Sequence, residues 1–165
     1  MKNIKNIVAF AVLLTSVGFA QEVNSTKVVE VEKVTVPTKE VKKQTVVFDC
    51  SSADKKFIAS RLWLIDISLQ EYEDKKIPYD AVLTIHSGCT DILAPKEDKS
   101  TAKIEKMLNK ISKHKNLSIE ACQIAVDRFK IKHDDIYPFI KLVPNSITRV
   151  IALQNNGYAF IPFSK

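Results

Sequence analysis

Cysteine is the residue type in this chain with the most chemistry to offer, and there are three: Cys50, Cys89 and Cys122. A thiol can act as a nucleophile, hold a metal or pair as a disulfide, and its pKa, exposure and neighbours decide which. Three is an odd number, so at most one disulfide can form within the chain and at least one thiol is left over. Cys122 lies in IEACQIAVDRF, between a run that reads as a strand and a run that reads as a helix. With that helix starting at Gln123 or Ile124, its free N–H groups and positive dipole end face the sulfur and favour the thiolate. The bland alternative is a buried, inert Cys122 that fills space like a small apolar residue. His86 and Cys89 make a second group in HSGC, where Gly88 allows a tight turn. Joined with Cys50 and Cys122 they would complete a tetrahedral zinc site of three cysteines and one histidine, but only one pair is close in sequence. A Cys89–Cys122 disulfide is the stronger expectation, because adjacent strands would bring the two together.

The elements that position these residues are punctuated regularly from Gln44 onward. TVVFDC is an apolar, β-branched run ending at Cys50, and SSAD places Ser51 or Ser52 to cap a helix with Asp54 in its first turn. Ile58, Leu62, Ile65, Leu69 and Tyr72 then recur at helical spacing. After Pro78, YDAVLTIHSGC reads as a second buried strand; beyond a loop with Pro95, Ser100 caps a helix marked by Ile104, Met107, Leu108 and Ile111. LSIEAC is a third strand, QIAVDRFKI a short helix and KLVP a fourth strand. Asn145 or Ser146 caps a helix carrying Ile147, Val150 and Ile151, Gly157 stops it, and YAFIPF is the last strand. Strands alternating with helices imply right-handed crossovers and a three-layer α/β/α sandwich on a mainly parallel five-stranded sheet. All three cysteines then fall at or just beyond strand carboxyl ends, the edge where open α/β sheets bind ligands. His114 and His133, set among lysines and acids, read as solvated. Asp134 and Asp135 read as a turn cap, and Trp63 as core or subunit interface. No Ser/His/Asp or paired-carboxylate signature stands out.

The N-terminus reads as a signal peptide over residues 1–20. Lys2 and Lys5 precede the apolar run IVAFAVLLTSVGFA, and the small residues Gly18 and Ala20 flank a cleavage point before Gln21. That run is shorter than the ~20 residues a membrane span needs. No cysteine follows it to carry a lipid anchor. The expected location is periplasmic or secreted, with no membrane association after cleavage. Residues 21–43 form an extended lead segment or linker, and residues 44–165 the domain. Losing Lys2 and Lys5 lowers the formal charge from +6 to +4, spread along the chain rather than gathered as a nucleic-acid footprint. Gly88 and Gly157 are the glycines left, too few for a phosphate-cradling loop, so no nucleotide cofactor is expected.

TVVFDCSSAD, then IHSG, EACQIAV and IYPFIKLVPNSITRVIALQNNGYAFI, spread over residues 44–163, together resemble the DsrE/DsrF-like family. The resemblance implies a compact α/β sandwich that assembles as homo- or hetero-oligomers, often trimers or hexamers, and carries sulfur as a cysteine persulfide. It places the reactive cysteine at Cys122, in EACQ, and matches His86 and Gly88 to a pair after the second strand. Cys50 and Cys89 are not part of that pattern, and an export signal departs from relays that are largely cytoplasmic. The expectation is a periplasmic sulfur-handling protein, a carrier more than a turnover enzyme. Cys122 attacks a sulfane donor, Cys89 serves as resolving or relay thiol, and His86 orients or deprotonates one of them. Its partners would be further copies of itself and a sulfur donor or acceptor, either a protein or a small sulfane-sulfur species. The rival readings are a non-catalytic oligomeric module with Cys122 in a structural disulfide, and a metal-binding protein using the cysteine edge.

Overall fold

The computed structural model describes residues 42–96 and 99–163; residues 1–20, expected to be a signal peptide, and nearly all of the expected lead segment lie outside the described residues. In chain order the elements are β1 (Gln44–Cys50), α1 (Lys55–Asp74), β2 (Tyr79–Ile85), a 3-10 turn (Ser87–Ile92) and α2 (Lys99–Ile111). They continue with β3 (Leu117–Cys122), α3 (Gln123–Arg128), a 3-10 turn (His133–Asp135), β4 (Ile140–Val143), α4 (Ser146–Asn155) and β5 (Ala159–Phe163). The strands form one sheet in the order β4-β3-β2-β1-β5, and every pairing is parallel. Register sets Cys50 beside Ile85 and Cys122 beside Val143, so the carboxyl ends of neighbouring strands finish level on one edge.

Side-chain alternation along each strand divides the core in two. On one face Cys50, Leu83, Ile85, Ile119 and Ala121 pack with Ile58, Leu62, Ile65 and Leu69 of α1 and Ile104, Leu108 and Ile111 of α2. Burying each such aliphatic side chain contributes roughly 1.5–3 kcal/mol, which makes this face the main source of stability. On the other face Val47 and Val82 pack under Leu153 and Val150 of α4, a much smaller cluster. The three layers are therefore unequal, and among the described residues α4 alone covers the centre of the second face.

Local chemistry sets the helix ends. Asp54, rather than a serine, is the cap of α1 and accepts the Phe57 N–H at 3.0 Å, while Ser52 accepts the Asp54 N–H. A carboxylate one residue from the helix start competes better for that N–H because it also meets the positive dipole end. Ser100 lies inside α2, not before it. Asn145 caps α4, and Gly157, at φ +82°, closes it with the paired hydrogen bonds Gly157 N–H to Gln154 O and Tyr158 N–H to Leu153 O. Trp63 is half exposed on α1 and so is not core, and Asp134 and Asp135 lie within their turn with no side-chain capping bond.

His114 departs from expectation: it is buried, not solvated, whereas His133 is exposed. The turn after α2 swings the ring inward, where Nδ1 lies 2.9 Å from Glu73 Oε1 and Nε2 3.2 Å from Asp66 Oδ1. Lys110 also reaches Asp66, and the Tyr79 hydroxyl donates to Glu73 at 2.6 Å. Burial would raise the pKa of Asp66, but the hydrogen bonds from Lys110 and His114 outweigh it, and the pKa falls below the usual carboxylate range. A carboxylate so depressed stabilises the fold above its unfolded pKa, and that contribution is lost as pH falls through the folded value. His114→Leu strips both carboxylates of a buried partner, and the expected loss is about 2–4 kcal/mol in a denaturant melt at neutral pH. A loss below about 0.5 kcal/mol would show that the network contributes little.

Candidate functional site

Cys122 ends β3 and is the cap residue of α3, so the chain turns from strand to helix at the sulfur-bearing residue itself. Its side chain lies among the first residues of two helices. The Ser146 N–H, at the start of α4, donates to Sγ at 3.5 Å, and backbone N–H groups of Ala125 and Ile124 in α3 also favour the charged sulfur. Burial pushes the thiol pKa up, yet these donors and the Ser146 hydroxyl bring it below that of an ordinary thiol. The residue is only 6% exposed, so the thiolate is shielded by structure but borders an open cavity.

His86 follows β2 and enters the same cavity wall. Its Nε2 donates to Asp49 Oδ1 at 3.0 Å, and its Nδ1 lies 2.9 Å from Ser87 Oγ. Asp49 also accepts the Thr84 hydroxyl at 2.6 Å; burial would raise its pKa, but those two hydrogen bonds lower it below the usual range. The bond to Asp49 raises the pKa of His86, burial opposes, and the charges of Asp49 and Cys122 raise it further. Both ring nitrogens are engaged, so the orientation of His86 is fixed, and its partner Asp49 favours the charged form of the ring. Ser87 adopts φ +51°, a conformation costly for a residue with a Cβ, which turns the chain sharply after His86. Gly88 fits next because a Cβ there would meet Ala53 Cβ at 2.8 Å.

The disulfide joins Cys50 to Cys89, not Cys89 to Cys122, with Cα atoms 5.7 Å apart. Two features decide the pairing. Cys50 points into the α1–α2 face, and the turn after β2 folds Cys89 over it, whereas the Cys122 sulfur lies toward α4, two strands away. Both bonded cysteines are fully buried, and Cys122 is the free one. The three share an edge but not a face. A zinc set drawn from all three is not assembled, and a structural disulfide on Cys122 is overturned. His86 and Cys122 are brought together at one cavity; Cys89 sits beneath it, bonded.

Two supporting residues were missed in the sequence reading. Glu120, two residues before Cys122 on the same face of β3, is 4% exposed. Arg149 of α4 donates to both its oxygens, Nε to Oε2 at 2.7 Å and Nη2 to Oε1 at 2.9 Å. The signal was an acid inside LSIEAC, because a charge in an apolar strand must find a partner. Asp49 in TVVFDC is the same signal. This fork fixes the first turn of α4 and hence the Ser146 N–H on the sulfur. Glu120→Gln is therefore expected to raise the pH of half-maximal Cys122 alkylation by roughly half to one unit. Arg149→Lys should have a smaller effect, and an unchanged pH profile in both would remove Glu120 from the site.

The cavity above Cys122 measures about 470 Å³ and is walled by His86, Ile124, Arg128, Phe129 and Ile147. No group of three or more His, Cys, Asp or Glu residues converges on a metal site among the described residues.

An uncharacterised protein of Aquifex aeolicus (strain VF5) is 36% identical over 124 residues, which cover 71% of this chain and 55% of that protein. The chain thus spans about half the length of that relative. The solved structure of MTH1491, a protein of unknown function from Methanobacterium thermoautotrophicum, superposes with a TM-score of 0.54 at 15% identity, covering 72% of this chain and 98% of its own. That likeness shows the fold alone: a parallel five-stranded sheet with helices. The family profile matches residues 44–163, from the first residue of β1 to the last of β5, and the chain belongs to the DsrE/DsrF-like family.

Proposed function

We propose that this protein is an exported sulfur carrier that holds sulfane sulfur as a persulfide on Cys122. Membership of the DsrE/DsrF-like family points to sulfur-relay chemistry in general. The observation that carries the specific reading is the free Cys122 sulfur, held at the floor of an open cavity by N–H donors from two helices that lower its pKa. The Cys122 thiolate attacks the outer sulfur of a persulfide R–S–SH; the bond from Cys122 Sγ to that sulfur forms to give Cys122–S–SH, the donor's S–S bond breaks, and R–S⁻ leaves with the electron pair. No oxidant or reductant is consumed. In its charged form, which the bond to Asp49 favours, His86 lowers the energy of both the attacking thiolate and the persulfide anion that results. Cys89 can enter a relay only after its bond to Cys50 opens; while oxidised, the pair staples the His86 turn to the end of β1.

The location rests on the N-terminal pattern of Lys2, Lys5 and the apolar run to Ala20, and places the acceptor outside the cytoplasm. Self-assembly is part of the proposal. Ile151 on α4 and Phe160 on β5 are both large, apolar and at least 40% exposed on the thinly covered face. A second copy is the simplest occupant of such a patch.

Mass spectrometry of protein alkylated without reduction, before and after polysulfide treatment, tests the carrier reading. One added sulfur on the Cys122 peptide, lost in Cys122→Ser, is expected, with Cys50 and Cys89 unlabelled throughout. A Cys122 that resists both alkylation and sulfur would end it. Labelling should begin at a lower pH than for an ordinary thiol, since a depressed pKa leaves thiolate present further down the scale; His86→Asn should shift that onset upward.

A further inference from the structure

The cavity over Cys122 is larger and more apolar than transfer of an inorganic sulfur chain requires. Its mouth is formed by Ile124, Phe129 and Ile147, each more than half exposed, although they stand beside a polar sulfur site. Among the described residues the basic side chains that line it are His86 and Arg128, and Arg128 pairs with no carboxylate there. No acid lines it. Its volume of about 470 Å³ lies in the range that encloses a small organic ligand. A bare polysulfide or thiosulfate would meet the charges and leave the three apolar side chains wet. A ligand with an apolar group beyond its sulfane sulfur would meet both.

Resting on the carrier reading, we infer that the donor is an organic sulfane-sulfur anion, a persulfide or thiosulfonate whose apolar group seats against Phe129, Ile124 and Ile147. The sulfane sulfur then points down to Cys122 and the anionic end is held by Arg128 and His86. For an aromatic thiosulfonate the step is Cys122–S⁻ plus Ar–SO2–S⁻ giving Cys122–S–S⁻ plus Ar–SO2⁻. The Cys122–sulfur bond forms, the bond between the sulfonyl and sulfane sulfurs breaks, and the sulfinate leaves with the electron pair. Charge is conserved and no co-reactant enters.

The test compares rates of sulfur addition to Cys122 from benzenethiosulfonate, methanethiosulfonate anion, thiosulfate and inorganic polysulfide. Each rate is divided by that of a small free thiol with the same donor. The expected result is a normalised preference of at least about tenfold for the aromatic over the methyl donor, the effect of sheltering a phenyl ring. Phe129→Ala should erase that preference, read as the ratio of aromatic to methyl rates within the variant, and Arg128→Gln should slow both organic anions alike. If Cys122 gains sulfur readily from polysulfide and shows no aromatic preference, the inference is overturned while the carrier reading stands. In protein dilute enough to be monomeric, that result assigns the apolar mouth to protein contact. If no donor adds sulfur, the carrier reading fails and takes the inference with it.

Discussion

The forked hydrogen bond from Arg149 to the buried carboxylate of Glu120 ties α4 to the centre of a sheet that has little else to hold it there. The apolar cluster under α4 is small, centred on Val47, Val82 and Leu153, and the outward side of the helix is exposed. A lone carboxylate in that position would be strongly unfavourable, so the pair stands or falls together. Because Glu120 is two residues from Cys122, the same bond that docks the helix also aims the Ser146 N–H at the sulfur. Docking of α4 thus adds its donor to those that α3 already turns toward the sulfur.

Strand parity does the rest of the sorting. In a parallel sheet the carboxyl ends of the strands gather on one edge, yet successive side chains on each strand still face opposite layers. Cys50 falls on the α1–α2 side and takes Cys89 with it into the larger core, while Cys122 falls on the α4 side with Asp49, Thr84, Glu120 and His86. The oxidised pair and the free thiol are close along the edge and separated by the sheet. A disulfide and a free thiol can therefore coexist in one small domain without exchanging partners.

Much of this was legible in the residues. The strand LSIEAC matches β3 end to end, and the helical spacing of Ile58, Leu62, Ile65 and Leu69 is the buried stripe of α1. The placement of Cys122 at the start of a helix follows from the change of period at Gln123. The disulfide partner was not legible, because it depends on how the turn after β2 folds back, and three cysteines on one edge give no hint of faces. His114 misled because its charged neighbours in sequence are solvated while its ring turns inward to Asp66 and Glu73, some forty residues away. Asp49 and Glu120 were visible as charges in apolar strands, but their partners lie on other elements and emerge only with the fold.

The Cys50–Cys89 bond spans 39 residues, a stretch that contains all of α1 and β2. It therefore closes the first strand–helix–strand crossover into a covalent ring. In the unfolded chain such a ring removes about 4 kcal/mol of conformational freedom on a simple loop-closure account. Parallel pairing of β1 with β2 is the kind of distant contact that chains find slowly. Once oxidised, this chain begins its search with that distance already bridged, and β3 and β5 each pair with a strand of that ring. The carboxyl-edge site, which draws on β1, β2, β3 and the start of α4, is complete only when α4 docks.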